Sequence, residues 1–171
     1  MSRQTDMERI LELLSRPPAA CRWNTGEVLD APRGVFRVEM PNGKGPFNAF
    51  PDDRAAGDKI YEVLARYGAD RRAVENNERM GLTGTGFFRE HGGAHYGFAS
   101  LAAVADWFVE DARRYLRDRW GASLVEYEVP AGESVLEVGH GEVIFNKSRA
   151  KRVAEHDLVD TLGKVCHKMA A

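Results

Sequence analysis

The chain has 171 residues, 43% of them hydrophobic and 29% charged, with 24 Lys plus Arg against 26 Asp plus Glu for a formal net charge of −2. That balance excludes a disordered chain and gives no electrostatic reason to expect nucleic acid or an anionic membrane as the main partner. A chain this long buries a sizeable core without disulfides or metal, and no apolar run approaches the roughly 18 residues of a membrane span.

Cys21 and Cys166, the only cysteines, lie too far apart for a CxxC metal or redox motif. Asp6, Glu8 and Glu12 interrupt the N-terminus where a signal peptide is apolar. These features predict a soluble, cytoplasmic protein. The first segment reads as a helix. Thr5 caps it, Glu8 completes a capping box, and Met7, Ile10, Leu11 and Leu14 share one face before Pro17-Pro18 end it. The expected organisation is a helical extension over 1–18 and a single α+β domain over 19–171.

Residues 35–40 alternate as a strand, with Val35, Arg37 and Glu39 on one side and Phe36, Val38 and Met40 on the other. Pro41, Gly43, Gly45 and Pro46 then mark a loop. A short helix follows from Asp58 to Tyr67. Residues 68–94 are irregular and glycine-bearing, with Phe87-Phe88 as apolar anchors, and are expected to border a functional cleft. Tyr96 to Ser100 reads as a strand. Leu101, Val104, Ala105, Phe108, Ala112, Tyr115 and Leu116 then recur as one apolar stripe with Ser100 at the N-cap, which predicts one long central helix.

Strands are expected at 124–129, 134–138 and 142–145. Residues 149–156 fit either a helix or a last strand, and Asp157 caps a C-terminal helix with Leu158, Leu162 and Val165 on one face. The order predicts an α+β fold with a compact, mainly antiparallel sheet, an N-terminal helix, one long central helix and a C-terminal helix.

Chemistry-bearing motifs are sparse. His91 and His95 are four apart, but Gly92-Gly93 between them opposes a helix, so they read as solvated loop histidines and no metal is expected. There is no Gly-x-Ser-x-Gly elbow and no Walker-type loop, and GLTGTG neither follows a clear strand nor opens a clear helix. Three polar residues stand out on the predicted strands. Arg37 follows Phe36 within an apolar strand, Ser100 ends a strand before the long helix, and Glu142 opens the run Glu-Val-Ile-Phe. An arginine fork suits a pyrophosphate, a serine can donate to a sugar or carboxamide, and a glutamate can steady a developing cationic sugar carbon. Each also has an ordinary reading: Arg37 as a strand arginine facing solvent or in an ion pair with Glu39 or Glu126, Ser100 as a helix cap, Glu142 as a strand-edge charge.

In that order, Phe36-Arg37, Phe98-Ala99-Ser100 and Glu142-Val143-Ile144-Phe145 resemble the arginine–serine–glutamate pattern of mono-ADP-ribosyltransferases. The resemblance implies a split sheet that binds NAD in a cleft and transfers ADP-ribose to a macromolecular target. Glu142 and Ser100 would be catalytic, and Arg37, Tyr96 and Phe36 would contact NAD. His140 stands where arginine-modifying members carry Glu or Gln, which argues against arginine as the acceptor. The segments GFASLAAVADWF, EYEVP and EVIF also resemble small proteins of phages and prophages. That similarity implies the alternative of a non-catalytic protein that binds and inhibits a host factor, such as a defence factor.

Overall fold

Alternation along a strand decides which residues meet, and here both sides of the central strand are buried. In the computed structural model, which describes residues 27–48, 53–66 and 93–169, β1 spans Glu27–Val28 and β2 spans Arg33–Glu39. Helix α1 (Arg54–Arg66) follows, then β3 (Ala94–Phe98), α2 (Leu101–Trp107) and α3 (Glu110–Trp120). Strands β4 (Ser123–Val129), β5 (Ser134–Gly139), β6 (Glu142–Asn146) and β7 (Lys151–His156) lead to α4 (Leu158–Met169). The seven strands form one antiparallel sheet in the order β1-β5-β6-β3-β2-β4-β7.

Directly opposed residues of antiparallel strands point to the same side. Val38, Met40, Phe98 and Leu124 therefore share one face, where they pack with Ile60 and Leu64 of α1, Val104 and Trp107 of α2, Ala112 and Leu116 of α3, and Leu158 and Leu162 of α4. Val35, Val125, Tyr127, Val143 and Phe145 form a second buried cluster on the opposite face. Gly97 lies where the sheet is tightly packed. A Cβ there would sit 2.5 Å from a Val35 methyl and 3.0 Å from the Phe145 ring, so only hydrogen fits. Gly141, with φ +74°, turns β5 into β6 against α2, and a Cβ there would meet that of Ala103 at 2.4 Å. The turn is further fixed by Trp107, whose indole N–H donates to the His140 carbonyl at 3.0 Å.

Two features differ from the expected arrangement. The sheet is continuous rather than split. The predicted long helix is two helices. Phe108 (φ −113°, ψ 92°) closes α2 and Val109 (φ −61°, ψ 165°) precedes α3, both in extended conformation. The apolar stripe runs through the break, which is why periodicity alone reads it as one helix. The second start is marked by Glu110-Asp111, acidic residues in a first turn that favour a helix N-terminus. The N-terminal helix expected over 1–18 lies outside the described residues, as do Phe87 and Phe88.

Smaller corrections follow from local chemistry. Tyr115 is half-buried on the margin of the core. Helix α1 begins at Arg54, earlier than expected, where Asp53 Oδ1 accepts from the Ala56 N–H. The ambiguous segment 149–156 is strand from Lys151, and Asp157 caps α4 by accepting from Val159 and Asp160 N–H. His95 sits on β3, not in a loop.

Phe108 is 2% exposed at the helix break, with its ring edge-on to Phe98 at 6.0 Å. Phe108→Ala is expected to lower the unfolding free energy by about 3–5 kcal/mol, the usual range for a buried aromatic truncation. Urea denaturation followed by far-ultraviolet circular dichroism measures it, and a loss below about 1 kcal/mol would contradict the packing.

Candidate functional site

The most concentrated polar chemistry lies on the sheet face opposite the helices. Arg37 and Glu39 are two apart on β2, so both side chains point to that face, and both are buried, at 8% and 4% exposure. A buried ion survives only when paired and hydrogen-bonded. Arg37 Nε donates to Glu39 Oε1 at 2.9 Å. Tyr127 of β4 donates its hydroxyl to the same oxygen at 3.0 Å, and Lys147, just after β6, places Nζ 2.5 Å from it. Lys147 also donates to the Gly43 carbonyl at 2.7 Å and lies 5.6 Å from the centre of the Tyr127 ring. One carboxylate thus gathers two cations and a phenol from three parts of the chain.

Arg37 has a second task. Strands β2 and β3 pair only through Phe36 and Phe98. Beyond that pair, Arg37 Nη1 donates to the Tyr96 carbonyl of β3. The side chain bridges strands that the backbone ladder joins at a single position. Burial pushes the Arg37 guanidinium down, and the neighbouring Glu39 charge opposes that shift. Half-buried His95 donates Nδ1–H to the Gly93 carbonyl, with the ring pair at 2.8 Å. Its pKa is lowered, first by desolvation and then by the charges of Arg37 and Lys147, with the Gly93 bond opposing. Desolvation first, and the Glu39 carboxylate second, raise Tyr127 to about 12.

The other candidate residues fall elsewhere. Glu142 opposes Phe98 and Tyr96 opposes Ile144, which places both on the face opposite Arg37. Phe36 shares that face and packs against the helix-covered core. Glu142 is buried, and desolvation with its nearby charge raises the Tyr96 phenol. Ser100 is the N-cap of α2, where its hydroxyl accepts from the Ala103 N–H at 3.1 Å. The fold therefore brings Tyr96 near Glu142, at the end of β3 that leads to Ser100, and sets the Arg37 fork across the sheet from them. The ion pair with Glu39 is the reading of Arg37 that the geometry contains. Tyr127 and Lys147 were not singled out in the sequence. No local pattern signals them, because they reach Glu39 through the pairing of β4 with β2 and through the order of the strands.

Among the described residues no group of His, Cys, Asp and Glu side chains is arranged to hold a metal ion, and no helix is long and apolar enough to cross a membrane. A model of the family described as bacteriophage T4 Y00F protein matches residues 29–159. The chain belongs to that family. The match runs from the residue after β1 into α4, so it takes in the Glu39 cluster and Glu142 alike. No curated protein and no solved structure matches this Y00F-family chain.

Two outcomes follow from the Glu39 cluster. Glu39→Gln leaves Arg37 buried without its counter-charge and is expected to cost about 3–5 kcal/mol in urea denaturation, as breaking a buried pair does. The double change Arg37→Met with Glu39→Leu is expected to regain much of that loss, and a double variant no more stable than the single one would contradict it. For His95 the depressed pKa means that the unfolded chain binds the proton first as pH falls. Its contribution to stability is present above the ordinary value of 6.5 and is lost as pH drops through and below it. In NMR titration the His95 ring is expected to titrate below 6.5, and His95→Gln should flatten the fall in urea midpoint on that side. A ring titrating at or above 6.5 would contradict the assignment.

Proposed function

We propose that this phage-family protein acts without catalysis, by binding a host protein and blocking it. The observation that carries this reading is an exposed aromatic pair. Phe47, in the 3-10 turn Pro46–Asn48, and Tyr61 of α1 stand edge to face with ring centres 6.2 Å apart, at 37% and 48% exposure. Buried Pro46 and Ile60, each next in sequence, anchor the two rings to the fold. Rigid aromatic side chains offered to solvent are the usual centres of protein–protein interfaces, because they bury large area for little lost freedom.

The rival reading is NAD-dependent ADP-ribosyl transfer to a macromolecule. Its support is the proximity of Tyr96 and Glu142 on one face of the sheet. It also calls for a phosphate-binding fork in the same cleft, and Arg37 points to the other face, where it bonds to Glu39. The geometry thus favours the binding reading.

Affinity capture from host lysate, followed by reconstitution with the purified partner, tests the proposal. Phe47→Ser with Tyr61→Ser is expected to weaken the reconstituted complex by at least about tenfold, while leaving the melting temperature within a few degrees. In parallel, NAD is expected to leave the melting curve unchanged and to label no lysate protein with ADP-ribose. A cleft holding NAD at about 100 times its Kd would gain about 2.7 kcal/mol, so binding would be visible. NAD-dependent stabilisation with labelling that Glu142→Gln abolishes would overturn the proposal in favour of the transferase.

A further inference from the structure

A second cationic site lies on the far side of the helix layer. Arg113 of α3 is 5% exposed, yet it forms no ion pair among the described residues. Its Nε has no hydrogen-bond partner. Its two terminal nitrogens reach only the Sγ of Cys166 on α4, at 3.8 and 3.9 Å. A thiol is a weak acceptor, and the nearest carboxylate to act on the guanidinium, that of Glu110, does so through space without an ion pair.

Sequence position explains the burial. Arg113 follows Ala112 and precedes Leu116 by one turn, on the side of α3 that packs against α4. Arg113 lines a cleft of about 430 Å³ between these two helices. Arg114 and Lys164 stand in its walls with Glu110 and Asp160, three cations against two carboxylates. Glu110 is already engaged by Arg114 through two hydrogen bonds from one guanidinium. His167 also faces the cleft. The local balance thus leaves one positive charge in surplus around an arginine whose neighbouring carboxylate, Glu110, is hydrogen-bonded to Arg114 instead.

We propose that the cleft between α3 and α4 binds a small ligand carrying a phosphate group, received by the Arg113 fork and supported by Lys164. A planar guanidinium offers paired donors matched to two phosphate oxygens, and the surplus positive charge suits an anion. The cleft volume falls in the range of small-molecule sites, large enough for a phosphate monoester. This site is independent of the aromatic pair proposed to bind a host protein.

The test is calorimetric titration of the full chain with inorganic phosphate and with a nucleoside monophosphate, against sodium chloride and succinate at matched ionic strength. Saturable binding of phosphate or the monophosphate is expected, with Arg113→Met weakening it by at least about tenfold and Lys164→Ala by a few-fold. Ligand should also slow alkylation of Cys166 by iodoacetamide, read on the Cys166 peptide so that Cys21 does not enter. Should Arg113→Met fail to fold, the Lys164→Ala titration and the Cys166 protection make the same decision. Tighter binding of the monophosphate than of inorganic phosphate marks an ester as the ligand, and equal binding marks the phosphate group alone. Absence of saturable binding, equal affinity in the substituted protein, or succinate matching phosphate would overturn the proposal.

Discussion

The fold depends on a single carboxylate oxygen. Glu39 Oε1 takes the Arg37 guanidinium, the Tyr127 hydroxyl and the Lys147 ammonium. Those groups lie on β2, on β4 and just after β6, and Arg37 carries the link onward to the β3 carbonyl of Tyr96. Backbone pairing between β2 and β3 is a single residue pair, so the centre of the sheet is held as much by side chains as by its ladder. In a buried setting such a network is strong when complete and costly when one member is removed. It also constrains chemistry. Glu39 Oε1 is shared by three donors, and Arg37 has its partners inside the fold, so neither is well placed to serve a cleft.

The sheet divides the molecule's polar residues into two populations. On one side are the Glu39 network and His95, enclosed beside an apolar cluster of Val35, Val125, Val143 and Phe145. On the other are Tyr96 and Glu142, where burial first and the glutamate charge second raise the tyrosine pKa. Strand alternation makes the division unavoidable. Arg37 pairs across to Val125, and Phe98 pairs across to Glu142, so moving either charge to its opposite face would need a one-residue slip that reverses a whole strand. A constellation drawn from residues in the right chain order need not be a constellation in space.

Much of this was legible from the chain itself, for physical reasons that also explain the failures. The alternation of β2 and the caps at Ser100 and Asp157 are local signals, and the structure contains each of them. The helix break at Phe108–Val109 was hidden because apolar spacing continues across it, and only the acidic first turn of α3 betrays a restart. The Glu39 cluster was hidden for a different reason. Residues 39, 127 and 147 meet through sheet order, which local periodicity does not encode. The Arg37–Glu39 pairing was readable, since two residues at i and i+2 on one strand face are neighbours by construction. Arg113 escaped notice because a mixed charge run on a helix ordinarily reads as a solvated face, whereas here α4 packs over part of it.

Strand order also has a temporal consequence. Strand β2 takes β4 as its principal partner, and residues 123–129 are made long after residues 33–39. At about 5–20 residues per second, the growing chain carries β2 without that partner for roughly 4–17 s. A run of Val35, Phe36, Val38 and Met40 is the type of sequence that pairs with the wrong chain during such an interval. Arg37 and Glu39 interrupt it with charge, as gatekeeper residues do. The same two side chains that lock the finished sheet would therefore keep its central strand soluble on the ribosome, before there is a sheet to lock.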